Sequence, residues 1–265
     1  FFKQKTAYEI PKRDWSSDVC SSDFAVDPWM TPDRLRRIAE LTNSLAPDMT
    51  LLLGDYVSTI ARQLRTDVVP AAEWAAALAD LKAPLGVHAI LGNHDWWVDR
   101  EAQERGSGPI EARRALEAAG IPVYENDVLR LEKGGRPFWL AGLGDQWAFA
   151  DTRQRDAQGQ RRRFGVDDLP GTIAKITDDA PVILMAHEPD IFPRVPPRVS
   201  LTVCGHTHGG QVVLFGKAYV VPSPLQGPLR LRPHRRRGPR SHRQWRPRLL
   251  RPARPLRPPA GDRHG

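Results

Sequence analysis

The chain has only two cysteines, Cys20 and Cys204, far apart and in unlike surroundings. A disulfide framework needs four or more cysteines and a zinc ribbon closely spaced pairs, so both are excluded. No apolar run approaches the roughly 20 residues of a membrane span, and no signal-peptide core is visible. No repeat recurs at solenoid spacing. Lysine is missing from Gly227 to Gly265, although that stretch carries thirteen arginines and a single acid, Asp262. What remains is ordinary globular composition over 265 residues, enough for one α/β domain with a well-buried core.

The net charge of +8 misleads. The stretch from Gly227 onward contributes +12 by itself, which leaves residues 1–226 at −4. The body is mildly acidic, and the basic isoelectric point says nothing about its partners. Arginine alternating with Pro, Leu and Gly, without lysine, is what a GC-rich frame yields when read out of register. Back-translation of Pro228 to Gly265 with free codon choice, read from the second base, permits an ordinary protein sequence with a strand-like LIVSG and a closing EIVT. Residues 224–265 are therefore expected to be a frameshifted tail. A nucleic-acid arm is the rival reading; one aromatic, Trp245, gives no stacking pattern for it, and no nucleic-acid partner is expected. Phe1 to Asp23 shows no usable periodicity and resembles translated sequencing adapter. It is expected to be non-native, which leaves 24–223 as the domain.

Within that body, Thr31-Pro32-Asp33 reads as a helix start, with Leu35, Ile38, Leu41 and Leu45 following at helical spacing. Met49 to Leu53 is a continuous apolar run of the kind buried on both faces of a sheet. Ala71 to Leu81 predicts a helix with Trp74 and Leu78 on one face. Val87 to Leu91 predicts a strand, and Pro109 to Ala119 a helix closed by Gly120. Strands then dominate: a hairpin across Lys133-Gly134-Gly135, strands over Val182 to Ala186 and Leu201 to Cys204, and a last hairpin around Gly216. Arg153 to Arg163 reads as a polar surface loop. Helix–strand alternation followed by a strand-rich half implies two packed sheets with helices outside.

Four strings end apolar runs: Gly54-Asp55, Gly92-Asn93-His94-Asp95, Ala186-His187 and Gly205-His206-Thr207-His208-Gly209-Gly210. A strand that ends in Gly and then a polar residue puts that side chain at the carboxyl edge of a sheet, where open α/β sheets bind ligands. Glycine lets the backbone turn there without a Cβ penalty. Taken singly each string is weak, since Asp after a strand is more often a cap or turn residue and a lone His more often a satisfied core residue. Together they supply carboxylate, amide oxygen and imidazole, a mixed set that suits Mn, Fe, Zn, Co or Ni better than Ca. Asp55 can bridge two ions with its two oxygens. His94 sits beside a ligand but out of step with it, and suits protonation of a leaving oxygen. His88, inside a strand, reads as structural. Trp96 and Trp97 read as core or as a pocket wall. Asp145 reads as a support to a metal or as a solvated turn, Glu188 and Asp190 as surface or turn residues, and Cys204 as small buried core.

These strings resemble the calcineurin-like metallophosphoesterase superfamily, in particular a bacterial single-domain branch with a GHTHGGQ motif. The resemblance spans about Ala25 to Ser223. It implies a four-layer α/β/β/α sandwich of two mixed sheets, incomplete here at both ends. It also implies hydrolysis of a phosphomonoester or phosphodiester by metal-activated water at a dinuclear centre of two divalent ions. The implied metal ligands are Asp55 as bridge, Asn93, His187 and His206 on one ion, and His208 on the other, with His94 catalytic. Some members of that branch act on lipid-linked or nucleotide phosphodiesters, so a small phosphorylated substrate is the expected partner. The expected location is cytoplasmic or membrane-associated. One departure matters: where the family has Asp-x-His at the end of its first strand, this chain has Ser22 and Phe24. The alternative is a phosphate-binding module that lacks the first metal site and is inactive.

Overall fold

The computed structural model describes residues 30–58, 69–155, 161–207, 213–214 and 217–218. The adapter-like segment, Ser22, Phe24, the turn at Gly216, the Arg-rich tail and His208 lie outside the described residues.

Helix α1 (Pro32–Ser44) begins where its cap predicts. The Thr31 hydroxyl accepts from the Arg34 N–H, and Pro32 opens the first turn. Its buried face differs from the predicted one. Leu35, Ala39 and Thr42 are buried, whereas Leu41 and Leu45 are 67% and 54% exposed. At 3.6 residues per turn, Leu41 and Leu45 lie roughly 120° and 80° around the axis from Leu35, while Ala39 and Thr42 stay within about 40°.

Strand β1 (Thr50–Leu52) is buried at every position. Helix α2 (Ala71–Leu78) buries Trp74, whose ring stacks on Tyr56 at 5.2 Å. Strand β2 (Val87–Ala89) pairs in parallel with β1, from Thr50 against Val87 to Leu52 against Ala89. Two short helices that the sequence reading did not anticipate then follow, α3 (Asn93–Val98) and α4 (Arg100–Arg105). Helix α5 (Glu111–Ala118) ends at Gly120, which takes a left-handed φ of 80° as predicted.

Strands β3 (Asp127–Lys133) and β4 (Arg136–Gly142) form the expected hairpin, turned by Gly134 and Gly135 with φ of 57° and 74°. Residues 153–163 are not simply a loop: β5 (Phe149–Arg155) and β6 (Arg161–Phe164) pair antiparallel, with Phe149 opposite Phe164 and their rings stacked at 5.3 Å. Charge along the segment hides the period of two that would have revealed it. Helix α6 (Leu169–Ala174), capped by Asp168, leads to β7 (Val182–Ala186), a 3-10 turn (Pro189–Arg194) and β8 (Val199–Cys204). Strands β9 (Val213–Leu214) and β10 (Lys217–Ala218) make a last short hairpin.

The larger sheet runs β3-β4-β7-β8, antiparallel at its first pair and parallel after it. Alternation along the strands sets the layers. Met49, Leu51 and Leu53 from the β1 run meet Ile90, Leu140 and Met185 between the two sheets. Their neighbours face outward: Leu52 packs with α1 and α2 residues, while Trp139, Ala141, Val182 and Leu184 pack with Leu169 and Ile191. Two sheets back to back with helices on both outer faces make the α/β/β/α sandwich. Among the described residues the smaller sheet is purely parallel, and only the larger one is mixed. No helix among them is long and apolar enough to cross a membrane.

Candidate metal centre

β1 and β2 are parallel to each other, as are β7 and β8, and residues just past the carboxyl ends of β1, β7 and β8 converge. Asp55, His187 and His206 meet there, and each offers a ligand atom within 4.8 Å of the others. All three are buried. Asp55 and His206 make the turns themselves, with left-handed φ of 56° and 64° that non-glycine residues seldom adopt. Strain of this kind persists where the surrounding structure holds it, and it concentrates at functional sites.

The glycines before the ligands do more than turn. Gly92 has an ordinary φ of −116°, so conformational freedom is not its reason for being there. A Cβ at Gly92 would collide with Asp55 Oδ1 and lie 2.6 Å from His187 Cε1. A Cβ at Gly54 would collide with the Gly92 backbone and lie 2.7 Å from the Leu91 carbonyl carbon. The two strand ends touch through their glycines, and that contact brings the ligands together.

Asp95 organises the loop. Its Oδ2 accepts from the N–H groups of Asp55 and Gly92, each at 2.9 Å, and its Oδ1 accepts from Tyr56 at 2.7 Å and Val57 at 3.3 Å. Burial, together with the nearby Asp55 charge, pushes the Asp95 carboxyl up to about 7 against the pull of these donors. The sequence reading took Asp95 only as part of the motif; its role as the knot between two strand ends was missed.

The fit to a metal can be tested on hydrogen bonds. His187 Nδ1 lies 2.6 Å from the Leu53 carbonyl, which can only accept, so Nδ1 carries a proton. In the neutral ring Nε2 is then a bare lone pair, yet it sits 3.1 Å from Asp55 Oδ2 and 3.2 Å from His206 Nδ1. An acceptor facing a carboxylate is repulsive unless a positive charge lies between or on them. The backbone carbonyl behind the imidazole is the usual arrangement that orients a metal-binding histidine. Burial raises the Asp55 carboxyl, but the imidazoles of His187 and His94 outweigh it and hold that carboxyl below the usual carboxylate range. Asn93 is buried, and neither its side-chain oxygen nor its nitrogen has a hydrogen-bond partner among the described residues. It lies between Gly92 and His94, whose N–H donates to Asp55 Oδ1 at 2.9 Å. An orphaned amide oxygen, two imidazoles and a carboxylate fit a divalent transition ion.

His94 is half-buried at the rim, its ring 5.3 Å from that of Trp97. The Trp97 indole donates to the Trp147 carbonyl at 2.8 Å, and the Trp147 ring meets His206 edge-on at 4.7 Å. Trp96 is core, as one of the two sequence readings had it, while Trp97 walls the site. Trp147 escaped the sequence reading because it follows no motif. His88 is structural, bonded to the Leu85 carbonyl and the Tyr124 hydroxyl. Glu188 is a correction: it is fully buried rather than on the surface, and its Oε2 accepts from the Gln146 backbone and side-chain N–H groups. Asp145 is buried too, and the solvated-turn reading of it falls. Cys204 is only half-buried.

Fold and donor set together define an α/β/β/α protein with a candidate metal site at the carboxyl ends of its strands. The sequence profile of calcineurin-like phosphoesterase matches residues 17–210, and the chain belongs to that family. It is 28% identical over 200 residues to the transmembrane protein with metallophosphoesterase domain of Danio rerio, covering 73% of this chain and 40% of that one. It is 28% identical over 211 residues to the metallophosphoesterase YkuE of Bacillus subtilis (75% and 63% covered). It is 27% identical over 213 residues to a metallophosphoesterase of Aquifex aeolicus (80% and 70%). The chain thus spans less than half the length of the Danio rerio relative.

Proposed function

We propose that the protein is a metal-dependent phosphoester hydrolase. The observation that carries this is the buried group of Asp55, His187 and His206, with the orphaned Asn93 amide at the neighbouring end of β2. These four residues would hold a divalent ion. When bound, such an ion supplies Lewis-acid polarisation of a phosphoryl group and acidifies water. The protein's own part is to orient and to move protons. Leu53 fixes the His187 tautomer, Asp95 and the two glycines fix Asp55, and His94 stands at the open rim where a leaving oxygen can take a proton. A dinuclear centre is the finer reading, with Asp55 bridging and His208 on the second ion. Small phosphorylated compounds, nucleotide or lipid-linked, are the substrate class we favour, and the transmembrane relatives are compatible with work near a membrane.

The test is hydrolysis of an aryl phosphodiester with Mn2+. Loss of a general acid costs about 10²- to 10⁴-fold in rate, so His94→Ala should fall in that range, and Asp55→Asn should abolish turnover. Unchanged turnover in both variants would sink the assignment. The presence of Ser22 and Phe24 at the Asp-x-His positions motivates a second reading, a phosphate-binding module. Phosphate binding with one Mn2+ or none per chain and no hydrolysis would select it.

A further inference from the structure

Beside the centre just described lies a second group of buried acids that the proposed reaction does not use. Asp145 follows β4 and Glu188 follows β7, and neither side chain has any exposed surface. Their ligand atoms and one of His187 lie within 4.8 Å of one another. Each carboxyl has one oxygen well occupied. Asp145 Oδ1 accepts from the Trp147 N–H at 2.8 Å. Glu188 Oε2 accepts from the Gln146 backbone and side-chain N–H groups, each at 3.1 Å. The other oxygens, Asp145 Oδ2 and Glu188 Oε1, are buried with no hydrogen-bond donor among the described residues. Among the described residues no lysine or arginine forms a salt bridge to either carboxylate.

Two adjacent carboxylates in a dry site cannot both stay ionised without a positive charge between them. Buried charges are paired with an opposite side chain or they coordinate a metal, and among the described residues the neighbouring side chain able to carry a positive charge is the His187 imidazole. The carriers of positive charge are then a metal ion or a proton, held between the two carboxyls or on His187. Two orphaned carboxyl oxygens held side by side favour the ion, and a carboxylate pair suits Mn or Mg. The one lone pair of His187 faces Asp55, so the imidazole flanks the pair without being its ligand. We propose that Asp145 and Glu188, with His187 at their flank, form a second seat for a divalent cation next to the one at Asp55. This seat is distinct from His208, and it stands whether or not the protein hydrolyses phosphoesters. It would also tie the carboxyl ends of β4 and β7 together beneath the Trp147 loop.

The experiment measures Mn2+ binding to the full chain by calorimetry and metal analysis, with no substrate. Asp55→Asn with His206→Ala disables the first seat. Asp145→Asn with Glu188→Gln disables the second, while the amide oxygens still accept from Trp147 and Gln146, so the loop keeps its contacts. The chain lacking the first seat should still bind one Mn2+, and adding Asp145→Asn and Glu188→Gln should weaken that binding at least tenfold. Absence of Mn2+ binding in the first variant, or binding indifferent to the added amides, overturns the proposal and leaves the pair sharing a proton. Melting curves check folding. Where the first variant does not fold, Asp145→Asn with Glu188→Gln in the otherwise native chain decides: one Mn2+ fewer supports the seat, and an equal count overturns it. A chain that binds Mn2+ at this pair and hydrolyses nothing keeps the seat while the hydrolase reading fails.

Discussion

Two histidines in this molecule are buried almost equally, His88 at 4% exposure and His187 at 1%, and they do opposite things. His88 lies within β2, away from the converging strand ends. One ring nitrogen meets the Leu85 carbonyl at 2.8 Å and the other the Tyr124 hydroxyl at 3.1 Å, so a neutral ring satisfies everything around it. His187 lies one residue past β7. Its outer nitrogen faces a carboxylate and another imidazole, with an unpartnered amide in the adjoining loop. Burial therefore does not distinguish a structural histidine from a functional one. The distinguishing property is whether the neighbours can all be satisfied without an outside charge. At β2 they can; at the carboxyl edge they cannot, and the strained turns at Asp55 and His206 hold them in that state.

The contrast breaks most completely at Gly92. Gly92→Ala puts a methyl group against Asp55 Oδ1 and His187 Cε1, so both ligands must move while every ligand residue remains present. Disturbed support around metal ligands costs about 10- to 100-fold in affinity, and this change acts on two ligands at once. We expect Mn2+ affinity to fall by at least that factor, with overpacking costing about 1–3 kcal/mol of stability. A titration showing native affinity would mean that the strand ends need not touch.

Asp95→Ala comes next. It leaves the N–H groups of Asp55, Tyr56, Val57 and Gly92 without their acceptor in a buried loop. At about 1–3 kcal/mol for each buried donor left unmet, partly relieved by entering water, the total should be about 3–5 kcal/mol in denaturant unfolding. Asp95→Asn keeps an acceptor oxygen for one pair of these donors and sets its NH2 against the other pair, so it should recover part of the loss at most. A loss below about 1 kcal/mol for Asp95→Ala would show that these hydrogen bonds do not knot the strand ends.

Much of this was legible in the sequence, for physical reasons that differ by element. The capped start of α1, the β3–β4 turn and the three buried strand runs carry local signals, because cap, left-handed glycine and apolar run are each set by neighbouring residues. The positions of Asp55, His187 and His206 followed from those strand ends. The face of α1 did not follow, because Leu41 and Leu45 fit the spacing loosely and only the packing of Ala39 and Thr42 decides between the faces. The β5–β6 hairpin was hidden by its charges. Glu188 reads in the sequence as a surface or turn residue and Asp145 as a metal support or a solvated turn, because isolation in sequence says nothing of burial. Their pairing joins residues 43 positions apart across two parallel strands. Asp95 was visible in its motif, but its four donors come from two different strand ends.

The smallest effect sharpens the comparison from the structural side. Burial lowers the His88 imidazole below its ordinary 6.5, against the Leu85 contact that raises it. Between that lowered value and 6.5 the unfolded chain binds the proton and the folded one does not. Stability from this group is thus fully present above pH 6.5 and declines as the pH falls below it, with a slope of at most about 1.4 kcal/mol per pH unit for one proton. His88→Gln keeps a polar end for the Leu85 carbonyl and another for Tyr124 but does not titrate. Carboxylates also titrate as the solution is acidified, so the quantity to follow is the stability difference between native and variant chains. It should be constant from about pH 8 to 7 and should shift in favour of the variant below 6.5. A difference that stays flat throughout would place a proton on His88 in the folded chain. The hydrogen bonds at β2 would then be as dependent on charge as those around His187, and the division between the two histidines would have to rest on ligand geometry alone.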